Sequence, residues 1–150
     1  MNTARIAMIV AASVTAAGAK DVHSDFSVSV IVRPAANIEL HSVPTGLDIS
    51  AADLRRGYIE VMQPTQFTVR SNSPNGYALE VLTVAPVLSS MIVEGFNTDL
   101  ALGADGGTIV QRWQKPQVLN VSLKFRFELV PGLSAGNYPW PVRLAVRPLD

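Results

Sequence analysis

Alternation of apolar and polar residues is the dominant pattern of this chain, and it begins near the N-terminus at residues 22–32. One face of this segment is apolar except for Ser24, and the other is polar except for Ile31. A period of two predicts a β-strand with one buried face, and this strand is longer than the usual five or six residues. Its apolar face consists of Val22, Phe26, Val28, Val30 and Val32, and its polar face of His23, Asp25, Ser27 and Ser29.

Two further alternating segments lie in the last third of the chain. Residues 121–129 place apolar side chains at odd positions and mostly charged ones at even positions. Residues 138–146 predict a closing strand, but Pro139 and Pro141 occupy its outward face and remove two backbone donors. That end of the strand is therefore expected at a sheet edge or a bulge. The inward residues of the closing strand are Tyr138, Trp140, Val142, Leu144 and Val146.

Shorter apolar runs predict the remaining elements. Asn75-Gly76 is typical of a hairpin turn, so residues 66–70 and the strand that follows are expected to pair through a polar loop. Residues 49–56 form the one helix-like segment, with Ser50 and Asp53 as a capping box and Gly57 as the stop. Many short strands with almost no helix predict an all-β sandwich of one domain. The other predicted strands are 36–40, 58–62, 90–93, 100–102 and 108–113.

The first nineteen residues have the pattern of a secretory signal peptide. Arg5 precedes an uncharged, largely apolar run from Ile6 to Ala17, and Ala17-Gly18-Ala19 matches an A-x-A cleavage site. The run is shorter than the roughly 20 residues that span a bilayer. An Ala-rich N-terminal helix is the alternative. We expect an exported chain that begins at Lys20 and has no membrane span in its mature part.

Composition excludes several classes of function. The chain has no cysteine, which excludes a disulfide framework, a thiolate nucleophile and a zinc–cysteine site. Its 12 basic and 12 acidic residues balance, so no nucleic-acid partner is expected. His23 lies on a polar strand face, and His41 shares a face with Glu39 two residues away, a pair that we interpret as solvated surface and not as metal ligands. The turn with Asp105 lacks the calcium-loop pattern. We therefore expect no cofactor, no metal and no enzymatic activity.

The order of these elements resembles the subunits of chaperone–usher pili, most closely the cysteine-free major pilins of coli-surface-antigen-type fimbriae. In both, a signal peptide is followed at once by an alternating segment, a proline (here Pro34) and a short first strand. FTVRSNSPNGYALEVL is similar to that family's paired strands joined by a polar turn. Ala135-Gly136-Asn137-Tyr138 matches the family's A-G-x-Y before its closing strand. Pro139-Trp140-Pro141 departs from the family pattern.

The resemblance implies an incomplete, immunoglobulin-like antiparallel β-sandwich that polymerises by donor-strand exchange. A periplasmic chaperone would first fill a groove in the domain, and the N-terminal strand of an identical or homologous pilin would then replace the chaperone. An outer-membrane usher would be the second partner during assembly. Residues 1–19 would be the signal peptide, 20–33 the donor-strand extension and 34–150 the pilin domain of an extracellular surface fimbrium. The donor residues would be Val22, Phe26, Val28, Val30 and Val32, and the acceptor groove Tyr138, Trp140, Val142, Leu144 and Val146, facing the first strand of the domain.

Two other interpretations remain open at this point. Periodicity alone favours an N-terminal strand inside its own sandwich, although after Asp25 no charge protects its edge up to Val32. The chain could also be a self-contained secreted β-sandwich that binds carbohydrate or a surface ligand through Trp113 and the loops. An enzyme is the least supported class, because the sequence has no G-x-S-x-G motif and no plausible serine, histidine and aspartate set.

Overall fold

Eleven β-strands and one short helix follow one another in a computed structural model of the chain, which describes residues 29–112 and 117–150. The predicted signal peptide, His23, the donor residues Val22, Phe26 and Val28, and Trp113 lie outside the described residues. The elements are β1 (Ala36–Ser42), β2 (Gly46–Ile49), α1 (Ala51–Arg56), β3 (Tyr58–Glu60), β4 (Thr65–Ser71), β5 (Tyr77–Thr83), β6 (Leu88–Glu94), β7 (Leu100–Gly103), β8 (Gly106–Gln111), β9 (Gln117–Leu129), β10 (Gly136–Pro139) and β11 (Val142–Pro148).

Antiparallel pairing connects the strands into a nearly closed sheet. The strand order is β1-β4-β9-β6-β7-β8-β5-β11, β3 pairs with the second half of β9, and β10 and β2 form a separate two-stranded sheet. The two ends of this order, β1 and β11, lie next to each other. The prediction of an all-β fold is confirmed.

The longest strand, β9, connects two parts of the sheet. Its first half pairs with β4 through Leu123, and its second half pairs with β6 on one side and β3 on the other. The predicted alternation at residues 121–129 is confirmed, because all five of its apolar side chains are buried. The strand also begins earlier than predicted, at Gln117. The inward side chains of one alternating strand, β9, thus form a large part of the core.

The helix ends where its sequence predicts, and it begins at Ala51, because Ile49 of the predicted segment 49–56 belongs to β2. Ser50 is the N-cap, and its side chain and that of Asp53 form the predicted capping box. Hydrogen bonds from Ser50 hold the pKa of the Asp53 carboxyl below its ordinary value. Gly57 ends the helix with φ of 80°, in the left-handed region that glycine adopts without strain.

The predicted hairpin around Asn75-Gly76 is wrong. β4 pairs with β1 and β9, whereas β5 pairs with β8 and β11, so the loop between them crosses from one part of the sheet to another. Gly76 has φ of 106°, and a Cβ at this position would lie 2.0 Å from the backbone oxygen of Gln111. The turn residue was therefore identified correctly. Its close contact, however, is with the end of β8 and not with β4.

The predicted closing strand, residues 138–146, is two strands. β10 pairs with β2, where Tyr138 lies opposite Leu47, and β11 pairs with β5, where Val142 lies opposite Thr83. The chain changes partners at Trp140 and Pro141. Proline lacks the N–H that a continuous ladder needs, and this explains why pairing stops there.

Tyr77 is the largest of the fully buried side chains among the described residues. It begins β5, and its burial raises the pKa of its phenol to about 12, from an ordinary value of 10.0. Burial favours the neutral phenol because the phenolate loses its hydration.

We expect the free energy of unfolding to fall as the pH rises from about 10 to about 12. In this window the unfolded chain has lost the Tyr77 proton while the folded chain still binds it, so alkali favours unfolding. Urea denaturation at several pH values measures the effect. Tyr77→Phe should remove this part of the pH dependence, and Tyr138→Phe should retain it. Equal pH profiles for the chain and Tyr77→Phe would contradict the assignment.

Candidate functional site

The feature that stands out in this sheet is a seam, defined here as the space between the facing edges of β1 and β11. Neither strand has a ladder partner on that side among the described residues. An unpaired edge exposes N–H and C=O groups that can accept another strand. Both edges are seven residues long, so the seam offers a strand-length surface.

The core is incompletely covered along the seam. On β5 the inward residues Leu79 and Val81 are completely buried, whereas their neighbours on β11, Val146 and Leu144, are only half-buried. On β1, Leu40 lies opposite the buried Phe67 yet is 50% exposed. Side chains that face the core from the two seam strands therefore lack the cover that the rest of the core has.

A cavity of about 200 Å³ opens at one end of the seam. Leu40 and Val43 line it from the β1 side, and Phe125 of β9 lines it from below. Its lining is largely apolar, and Arg143 is its one charged member. The other lining residues are Thr65, Trp140, Val142 and Leu144.

Trp140 forms the aromatic wall of this cavity. Its ring lies 5.8 Å from that of Phe125 and 5.5 Å from that of Phe127, both in edge-on arrangements. Phe125 and Phe127 are themselves stacked at 5.5 Å. Pro141, which is fully buried, fixes the chain immediately after Trp140. The irregular Pro-Trp-Pro sequence thus places an aromatic ring where the chain changes from β10 to β11.

The cavity also contains an unsatisfied polar group. Thr65 is 1% exposed, and its Oγ1 has no hydrogen-bond partner within the part of the chain that the structure describes. A buried hydroxyl without a partner costs about 1–3 kcal/mol. It is therefore a point at which a bound segment or water could add a hydrogen bond.

The predicted site residues fall into three groups. Trp140, Val142 and Leu144 line the cavity, and Val146 lies further along the seam on β11. Tyr138 lies on β10, where its hydroxyl donates to the Ser134 carbonyl at 2.8 Å. Of the predicted donor residues within the described range, Val30 is 77% exposed and Val32 is 72% exposed.

Five of the eight lining residues are outside the predicted groove set, namely Leu40, Val43, Thr65, Phe125 and Arg143. Leu40 belongs to the predicted first strand, but Val43, Thr65 and Phe125 come from three other places in the chain. Phe125 was predicted only as an inward core residue. Thr65 carries one signal in the sequence, since it is a polar residue at an inward position of a strand whose other inward residues include Phe67 and Val69.

His41 takes part in a separate polar network on the outer face of β1, β4 and β9. Its Nε2 lies 2.6 Å from the Thr68 hydroxyl, which donates to Asn120 Oδ1 at 2.7 Å. Glu39 does not join this network and lies 4.0 Å from Arg70. Residues 29–112 and 117–150 contain no cluster of three metal-ligating side chains.

Replacing Thr65 by valine tests the unsatisfied hydroxyl. Valine has nearly the same shape, so Thr65→Val should raise the free energy of unfolding of the monomer by about 1 kcal/mol. Chemical denaturation at low protein concentration measures this change. Thr68→Val is the matched control, because the Thr68 hydroxyl is bonded and its loss should destabilise the fold. Destabilisation by Thr65→Val would mean that its hydroxyl is satisfied after all.

Within residues 29–112 and 117–150, no helix is long and apolar enough to cross a membrane. Comparison of the chain with protein-family models, with curated proteins and with solved structures finds no match. The function of the seam must therefore follow from its own geometry.

Proposed function

We propose that this chain is a structural subunit of a bacterial surface pilus that polymerises by donor-strand exchange and supports adhesion. The observation that carries the proposal is the incomplete cover of the core beside the two unpaired edges of the seam. A strand added between β1 and β11 would supply both missing parts. Its backbone would pair with the edges, and alternate side chains would cover the core.

The strand order supports an immunoglobulin-like sandwich without its last strand. In that fold, strands A, B, E and D form one sheet and C, F and G the other. β1, β4, β9 and β6 lie in the order A-B-E-D, and β5 and β11 are paired as C and F are. These six strands also follow the alphabetical order along the chain. The position of G, beside F, is the seam.

The occupant that best fits the seam is residues 22–32 of a second copy. This segment has an apolar face that Ser24 interrupts and that is continuous from Phe26 to Val32, and its length exceeds the seven residues of each seam strand. Such a contact is heterologous, because each copy gives its N-terminal strand to one neighbour and accepts a strand from another. A contact of this kind that does not close into a ring produces a filament.

Burial of the five donor side chains would stabilise the contact. At about 1.5–3 kcal/mol each, Val22, Phe26, Val28, Val30 and Val32 give about 8–15 kcal/mol before any costs. One cost is widening of the seam. Some Cα atoms of β1 and β11 lie within 8 Å of each other, whereas an inserted strand needs two strand spacings, about 9.5 Å. The docked state therefore requires the two edges to move apart.

The resemblance to chaperone–usher pilins extends the proposal to assembly. Before a second copy arrives, the seam would be filled by a periplasmic chaperone, and an outer-membrane usher would exchange that chaperone for the next subunit. The assembled chain would then be part of an extracellular fimbrium. No residue of the described chain needs a cofactor for this role.

A peptide of residues 21–32 tests the docking. We expect it to bind the purified chain, to raise its melting temperature and to inhibit oligomerisation. The Val30→Asp peptide should bind at least 100-fold more weakly, because it would bury an unpaired charge. The Ser29→Asp peptide adds the same charge to the opposite face and should bind within a few-fold of the original. Equal affinities of the two variant peptides, measured by fluorescence anisotropy, would contradict the proposed face.

The same pair of substitutions in the chain tests assembly. Val30→Asp should remain monomeric in sedimentation velocity while its domain stays folded, because residue 30 would belong to the core of a neighbour. Ser29→Asp should assemble as the unmodified chain does. Unfolding of the Val30→Asp monomer would instead place this strand in its own core and exclude exchange.

A further inference from the structure

The segment that leads from the predicted donor strand into β1 is attached to the rest of the domain by one residue, Asn72. The amide of Asn72 accepts a hydrogen bond from Ala35 N–H at 2.6 Å and donates to the Arg33 carbonyl at 3.1 Å. The Asn72 backbone N–H donates in turn to the Ala35 carbonyl at 3.1 Å. Three hydrogen bonds therefore hold Arg33–Ala35 against the end of β4. Pro34, between the two bonded residues, fixes its own φ and favours an extended Arg33.

The loop that contains Asn72 also holds the other strand of the seam. Leu149, just after β11, donates its N–H to the Gly76 carbonyl at 3.1 Å and accepts a hydrogen bond from the Ser73 hydroxyl. Residues 72–76 thus bind both the start of β1 and the end of β11. This end of the seam, where the N-terminal segment meets the domain, is spanned by the loop.

The predicted donor strand lies close in sequence to the seam of the same subunit, and docking there would compete with exchange between subunits. Only residues 33–35 separate the predicted donor strand from β1, which is one edge of its own seam. A flexible link that short gives an effective concentration of about millimolar, so at about 10 μM chain self-docking would exceed docking to a neighbour by roughly 100-fold. The advantage disappears only if the link cannot adopt the required geometry.

Self-docking requires a tight turn at residues 33–35. The chain would have to fold back along the free edge of β1, opposite the edge that pairs with β4. A two-residue turn with corners at residues 33 and 34 would put Pro34 at its second corner, which a trans proline disfavours. With corners at residues 34 and 35, a hairpin turn would need a positive φ at Pro34, which the proline ring does not allow. A three-residue turn would have to release the Arg33 carbonyl and the Ala35 N–H from Asn72. The bonds that Asn72 makes are therefore those that a self-docking turn must break.

We infer that Asn72 is a positioning residue for strand exchange, which directs the N-terminal strand to a second copy by preventing it from entering its own seam. This inference rests on the proposed function, because it concerns the same seam and the same donor strand. Asn72 itself is exposed and does not line the cavity of the seam. Its effect is on the partner that the donor strand reaches and not on the affinity of the groove.

Asn72→Ala tests the inference in the full chain. We expect the variant to form at least tenfold less oligomer at equal concentration in sedimentation velocity. It should also capture at least tenfold less labelled peptide of residues 21–32, because its own strand would fill the seam. Its melting temperature should not change with protein concentration, whereas that of the unmodified chain should rise with it. Asn75→Ala, an exposed residue of the same loop, is the matched control and should behave as the unmodified chain.

Two further variants keep the test informative if Asn72→Ala folds poorly. Asn72→Asp keeps the acceptor for Ala35 N–H but cannot donate to Arg33, so a smaller shift towards the self-docked monomer is expected. Pro34→Gly leaves Asn72 intact and relaxes the turn, and it should shift the chain in the same direction.

The outcomes distinguish failure of the proposed function from failure of the role assigned to Asn72. If the unmodified chain neither oligomerises nor captures the peptide, the proposed function fails. If the unmodified chain does both and Asn72→Ala equals it, only the role of Asn72 is overturned. Asn72→Ala that oligomerises less but still captures the peptide fully would also overturn that role, because its seam would then be empty.

Discussion

Backbone groups at a sheet edge need hydrogen-bond partners, and this requirement is unmet at the seam. Every other long strand of the main sheet has neighbours on both sides along at least part of its length, whereas β1 and β11 each pair on one side within the described chain. On these two strands the inward side chains Leu40, Leu144 and Val146 remain partly exposed. The missing hydrogen bonds and the missing apolar cover therefore coincide in space, and a single added strand is the simplest element that supplies both.

The aromatic cluster explains how the seam can exist without collapse of the core beneath it. Phe125 and Phe127 lie on β9, the longest strand, which is paired on both sides along its second half. Trp140 packs edge-on against both rings from the opposite end of the chain. Because the two prolines stop the ladder around Trp140, the ring is positioned by packing and not by strand pairing. The lining below the cavity is thus held by aromatic packing and by pairing on both sides of β9, whereas β1 and β11 are each paired on one side within the described chain.

The sequence predicted those features that depend on neighbouring residues. The alternation along β9, the capping box at Ser50 and the stop at Gly57 all follow from local patterns, and the structure has each of them. The two wrong predictions both concern pairing partners, at residues 72–77 and at Trp140. Partners depend on which surfaces meet across the core, and turn-forming residues carry no information about that choice. Asn75-Gly76 correctly predicted a turn but not the strand that the turn would approach.

The same limit applies to the site. Trp140, Val142 and Leu144 were predicted from the alternation of the closing strand, and they line the cavity. Val43, Thr65 and Phe125 come from distant parts of the chain, and only the folded sheet brings them together. Asn72 was missed for a different reason, since a polar residue in a polar loop has no distinguishing pattern. Its importance follows from the two backbone groups that it binds.

The position of β1 has a mechanical consequence. β1 forms one wall of the seam and is also the strand that follows the clamped segment Arg33–Ala35. In the proposed filament, tension arriving through the N-terminal strand of a subunit would enter at β1 and leave through the neighbour's strand docked alongside it. The force would run nearly parallel to both strands and load their ladder in shear, so many hydrogen bonds would resist together. The aromatic core would lie beside this load path and carry little of the pull.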